Sequence, residues 1–259
     1  MRAGSSDVGT LAWAERTGGR LDVADRARLV GQLLLEVPAL IRDLPPRFGA
    51  TPKRRLLDIS TEPPRTAIAD AATARCQNAA VDRQWLYPHS VRTYGFALLF
   101  ARRAGLEPDL EVLWVATMLH DIALADAVVA PATEPVCFAV RGARAAAELA
   151  DEHGWSAERR RRVAEAISMH INVRVSARLS LEGQLVHLGA ALDVAGNGYA
   201  NVASPALDAI VEQHPYDGFH DTIRCVWKAE ASRSPGSRAR FLRYAGLGPL
   251  ARSSPLRRR

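Results

Sequence analysis

A chain of 259 residues with 48% apolar and 24% charged residues has the composition of an ordinary globular protein and enough length to bury a substantial core. Its formal charge of +6 is carried almost wholly by arginine, Lys53 and Lys228 being the only lysines; this skew reads as coding bias before it reads as nucleic-acid binding. No apolar run reaches about 18 residues, and no early segment joins a basic start to an apolar core and a small-residue cleavage site, so neither a membrane span nor export is expected.

In chain order, residues 1 to about 22 are rich in Gly, Ser and Thr and are expected to be loosely ordered. Asp25 is a candidate cap for a helix whose apolar stripe is Leu29, Val30, Leu33, Leu34, Val37 and Leu40, ended by Pro45-Pro46. That helix is expected to pack on the protein's own core rather than on a membrane. Residues 47 to 65 read as a connector. Helical pattern resumes from Ala67 to Val81 and again from His89 to Ala104, where Gly105 stops it. A helix over 109–123 follows Pro108, and Pro131 and Pro135 bound a loop. Helices are expected over 136–152, over 157–170 with Ser156 as N-cap, over 182–195 closed by Gly196-Asn197-Gly198, and over 206–213. A last long helix begins near Phe219, and a short helical piece precedes the Arg tail. The domains expected are a one-helix N-terminal extension (1–66), a helical domain (67–232) and a C-terminal piece (233–259).

The arginine runs 159–162 and 257–259 lack interleaved aromatics and read as a solvated helix face and a frayed tail. Cys76, Cys137 and Cys225 have no metal-like spacing, and they suggest small packing roles in a reducing, cytoplasmic setting.

Chemistry concentrates where the apolar run 113–119 ends in His120-Asp121. Alone, that pair is a helix-end histidine beside a solvated carboxylate. With His89 and Asp193 on other predicted helices it becomes a set of two imidazoles and two carboxylates, which suits a divalent ion such as Zn, Fe, Mn or Ni. Gly189 and Ala190 stand one turn before Asp193, so another helix can approach that face closely. A carboxylate there needs a cation or donors to meet it.

The stretches His89-Ser90-Val91-Arg92-Thr93-Tyr94, Leu119-His120-Asp121-Ile122, Ala166-Ile167-Ser168-Met169-His170 and Leu192-Asp193 together resemble the HD-domain superfamily of metal-dependent hydrolases. The resemblance covers roughly 67–230. Within it the His-Ser-x-Arg-Thr-Tyr opening and Phe138-Ala139-Val140-Arg141-Gly142-Ala143 are most similar to the cyanamide-hydratase-like branch.

The resemblance implies an all-α HD-domain bundle with His89, His120, Asp121 and Asp193 as metal ligands. Two-metal members of the superfamily carry an extra histidine where this chain has Phe138, so a single divalent ion is expected, zinc first and Fe, Mn or Ni as alternatives. His153 reads instead as a helix C-cap. His170, a second-metal ligand in those members, is expected to face substrate or the metal-bound water as general acid or base, the alternative being a solvent-facing helix end. Arg92 either pairs with a ligand carboxylate or binds substrate. Asp126 either orients a metal histidine or is loop-solvated. His187, His214 and His220 fit no pattern and read as structural or surface residues.

The function implied is that of a metal-dependent hydrolase or hydratase (hydro-lyase) acting on a small molecule, with metal-bound water as nucleophile, as in cyanamide hydratase. Catalytic candidates are His170, Asp121 and Arg92. Few cations (Arg92, Arg174, Arg141) stand near the ligands, amid Phe96, Leu124, Phe138 and Met169. A nucleotide or phosphomonoester phosphohydrolase and a non-catalytic metal-containing binding module remain as alternatives. The expected partner is a small-molecule substrate, with no nucleic acid and no membrane; a homo-oligomer is compatible.

Overall fold

A computed structural model describes residues 7–43, 59–79, 84–125 and 136–257. Several expectations fall outside these residues: the Pro45-Pro46 stop, most of the connector, the end of the 67–81 helix, the Pro131–Pro135 loop and Asp126. The expected all-α class holds; among the described residues the only β-like contact is an isolated antiparallel bridge between Arg20 and Ser237.

The helices in chain order are α1 (Leu11–Thr17), α2 (Val23–Asp43), α3 (Ala67–Ala79), α4 (Leu86–Ala104), α5 (Leu110–Leu119), α6 (Ile122–Ala125), α7 (Phe138–Glu152), α8 (Ala157–Met169), α9 (Leu181–Ala195), α10 (Tyr199–Val202), α11 (Pro205–Gln213), α12 (Phe219–Arg233) and α13 (Arg238–Leu242). After a π-helical turn at Arg243–Leu247 comes α14 (Gly248–Ser253).

The bundle is organised around α5. Its residues are apolar on every side, and Val112 through Leu119 are all buried. A helix with no polar face must be covered all round, and α3, α4, α7, α8 and α9 all pack on it. Asp109 starts it by accepting the backbone N–H groups of Glu111 and Val112, both at 3.1 Å. The expected caps at Ser156, Gly105 and Gly196 are in place, and His153 is the C-cap of α7.

Close helix crossings depend on two glycines. A Cβ on Gly189 would lie 2.3 Å from the Thr93 carbonyl oxygen, so only glycine lets α9 press against α4 and bring Asp193 beside His89. At Gly142 a Cβ would meet the Leu119 and His120 carbonyl oxygens at 3.0 and 3.2 Å. That crossing bears on a correction. The helix expected over 109–123 is two, α5 and α6, with His120 and Asp121 in the turn between them, and α7 seats directly against the backbone of that turn.

The N-terminal extension also departs from expectation. Residues 7–22 are ordered, and the extension holds two helices rather than one. Thr10 caps α1, whose Trp13 is fully buried and donates its indole N–H to Asp25 at 3.0 Å. The cap of α2 is Asp22, which accepts the Asp25 N–H at 2.7 Å, while the Asp25 carboxylate accepts the Asp22 N–H at 3.4 Å in a reciprocal capping box. The apolar stripe of α2 is only partly covered: Leu29 is buried, whereas Val30 and Leu34 are exposed.

The arginine run 159–162 does more than face solvent. Arg159 lies over the Trp155 ring and pairs with Asp109 and Glu111, and Arg162 pairs with Glu182, lacing α8 to its neighbours. Cys76 and Cys137 are buried as packing residues, but Cys225 is exposed. Among the described residues no helix is long and apolar enough to cross a membrane.

Candidate metal centre

Three helical segments converge at the turn between α5 and α6. His89, His120 and Asp121 are all buried, and one donor atom from each lies within 4.8 Å of the others. The Nε2 atoms of His89 and His120 are 3.1 Å apart, and Asp121 Oδ2 is 3.3 Å from the first and 3.6 Å from the second.

Hydrogen bonds on the far side of each ring set which nitrogen is bare. His120 Nδ1 is 2.7 Å from the Thr117 carbonyl oxygen, and His89 Nδ1 is 2.6 Å from Asp193 Oδ2. Both partners only accept, so both Nδ1 atoms carry the proton and the neutral rings turn bare Nε2 lone pairs toward each other. Two lone pairs at that distance repel unless a cation lies between them. The donor set therefore fits a divalent ion held by imidazole and carboxylate.

The electrostatics of His120 and Asp121 agree, and those of His89 draw positive charge to the same point. Burial pushes His120 down to about 3, with His170 and His89 acting the same way against Asp121. Burial opposes ionisation of Asp121, but His120, His170 and His89 outweigh it and hold the carboxyl well below its ordinary range. Burial also lowers His89, yet the carboxylates of Asp121 and Asp193 raise it overall. The centre is a neutral imidazole and an ionised carboxylate beside an imidazole that attracts positive charge.

His170 joins the cluster from the end of α8. Its Nδ1 is 2.6 Å from the Ile167 carbonyl oxygen, which leaves Nε2 bare and 3.4 Å from Asp121 Oδ1. Its ring is buried and meets Phe138 edge to face, and Trp227 in turn meets Phe138 edge to face. The solvent-facing alternative for His170 is thereby excluded. Phe138 is held in place by Glu230 of α12, which accepts its backbone N–H at 3.0 Å and pairs with Arg141 at 2.9 Å.

Asp193 and Arg92 are placed differently from the four-ligand expectation. Asp193 lies behind His89, against the nitrogen that faces away from His120 and Asp121. Its carboxylate also accepts Arg92 Nε at 2.7 Å, Arg92 Nη2 at 3.0 Å and the Tyr216 hydroxyl at 2.7 Å. Burial opposes that negative charge, but Arg92 and His89 depress the Asp193 pKa strongly. Arg92 spends its remaining nitrogen on the His214 and Pro215 carbonyls, and its guanidinium lies 4.1 Å from the Tyr216 ring centre. Of its two expected roles, the structure shows pairing with a carboxylate; a catalytic Arg92 touching substrate does not fit a guanidinium with every nitrogen engaged.

Sequence reasoning missed several contributors. Tyr216 gave no signal beyond a lone tyrosine in a loop. His187, expected to be structural, sets its Nδ1 2.9 Å from the His170 carbonyl oxygen. His220 is buried against Tyr216 and Phe219 beside the same cluster.

Residues 86–194 match the family model described as the HD domain. That segment, which contains His89, His120, Asp121, His170 and Asp193, is thus similar to the HD domain. The HD-domain superfamily is one of metal-dependent hydrolases whose domains bind divalent metals, and the His89, His120, Asp121 cluster is compatible with such an ion. No curated protein matches the chain significantly.

Proposed function

We propose that the protein is a cytoplasmic, mononuclear metal-dependent hydrolase or hydratase acting on a small, weakly charged molecule, in the manner of cyanamide hydratase. The observation that carries this reading is the pair of facing bare Nε2 atoms of His89 and His120 beside Asp121. A divalent ion held there, zinc first among the candidates, would lower the pKa of bound water from about 15.7 towards roughly 7 and so supply a nucleophile at neutral pH.

The residues around the donors do the rest. Asp193 holds the His89 ring in the tautomer and orientation that bares Nε2, the role carboxylates take behind metal-bound histidines. His170 accepts or returns a proton at its bare Nε2, beside the carboxylate oxygen of Asp121 that faces it. Phe138 packs edge to face on that imidazole and covers it.

Substrate class follows from what surrounds the site. Phosphate oxygens are held by several free Arg or Lys groups. Here Arg92 is bound to Asp193 and Arg141 to Glu230. This supports a nitrile-like carbon over a phosphomonoester, whose hydrolysis is the second reading.

The test pairs metal analysis with a substrate panel. Purified protein should carry about one equivalent of metal, lost in Asp121→Ala, and should convert cyanamide to urea without releasing phosphate from nucleotides. Phosphate release alone would establish the second reading. Full metal retention in Asp121→Ala would overturn the site assignment, and undiminished turnover after complete chelation would overturn both enzymatic readings.

A further inference from the structure

Arg238, in the first turn of α13, lies outside the matched HD segment and is fully buried. Among the described residues no carboxylate contacts its guanidinium. Nη1 donates to the Ser168 carbonyl oxygen and to Asn172 Oδ1, both at 2.7 Å. Nη2 faces Cys137 Sγ at 4.0 Å, Nε has no partner, and the cation stands 5.1 Å from the Trp13 ring centre. Burying a charge without a counter-ion is costly, so what this one holds bears on why it is there.

It holds the two residues that bracket His170. Ser168 and Asn172, each two positions away, are buried and also anchor the N-terminal segment: Ser168 Oγ donates to the Gly9 carbonyl and Asn172 Nδ2 to the Val8 carbonyl, both at 2.7 Å. His187 contacts the His170 carbonyl between them. The imidazole's own tether, Nδ1 to the Ile167 carbonyl, survives only while this turn keeps its shape.

We propose that Arg238, acting through Ser168 and Asn172, is a positioning residue that fixes the turn 168–172 and so aims the bare Nε2 of His170 at Asp121. The two chain extensions meet at this node, which gives them a task at the site. The inference rests on the assignment of His170 to the site.

Full-length protein labelled with 15N-histidine tests it through the two-bond imidazole spectrum, which resolves tautomers for the seven histidines. In the parent protein His170 should be a single Nδ1–H tautomer. Arg238→Met should turn that signal into a mixed, exchange-broadened one while His89 and His120 keep theirs and metal stays stoichiometric. Arg238→Lys, which can still donate to both oxygens, should restore the parent pattern. Asn172→Ala should reproduce the Met result and decides the matter if Arg238→Met does not fold. A His170 signal unchanged in folded variants would overturn the proposal. Full turnover in His170→Ala would instead overturn the role given to His170, whatever the tautomer of its parent ring.

Discussion

Two buried polar clusters share the His89 ring, and they are built on opposite principles. On its Nδ1 side, Asp193, Arg92 and Tyr216 satisfy one another: the carboxylate receives donors on both oxygens and the guanidinium is engaged at each nitrogen. On its Nε2 side, His89, His120 and His170 turn bare nitrogens toward the oxygens of Asp121 with no proton assigned between them. A saturated buried network rigidifies a fold, whereas unsatisfied acceptors gathered around one point are tolerable only if a cation serves them. The difference separates a structural cluster from a candidate functional one although burial and residue types are similar.

Substitution should break the two sides differently. The largest effect belongs to Asp121→Ala, which should abolish stoichiometric metal and with it turnover, read by metal analysis. Next, Arg92→Met leaves the buried Asp193 charge without its main partner. It should cost about 3–5 kcal/mol of stability by urea unfolding, and an unchanged midpoint would remove the argument that this cluster is structural.

Tyr216→Phe deletes one hydrogen bond to the same carboxylate and should cost about 1.5–3 kcal/mol in the same assay, with metal content unchanged. Asp193→Asn probes the seam between the clusters. Acting behind His89 it should weaken metal binding about 10–100-fold by competition with a chelator; a loss far beyond that range would mean that Asp193 touches the ion directly. Smallest of all, Leu34→Glu on the exposed face of α2 should change stability by no more than about 0.5 kcal/mol.

Much of this was legible in the chain itself. His120-Asp121 ends a run so apolar that its helix had to be central, and His89 and Asp193 on other helices made the polar pair at its end a candidate site. Gly189 announced a close crossing before any partner helix was known, and α4 fills that place. Phe138 marked the position that now packs on His170. Local signals also set most helix ends, because caps such as Ser156 and Gly105 act within one turn.

Other features were not legible, because they depend on contacts across long stretches of chain. Gly-, Ser- and Thr-rich text around Trp13 looked loose, yet that indole is buried against Asp25 and below Arg238. Arg92 could equally have reached substrate; only the approach of α9 and of the Tyr216 loop commits it to Asp193. Val30 and Leu34 read as core by periodicity, which cannot tell whether anything covers a stripe.

By itself, then, the sequence determined the helical class, the apolar character of α5 and the residues of a candidate metal centre, since periodicity, capping and side-chain chemistry are local properties. Tertiary structure alone decided which carboxylate faces the imidazole lone pairs and which stands behind them. A hydrogen bond selects one nitrogen of a ring by direction, and that direction exists only once the helices have met.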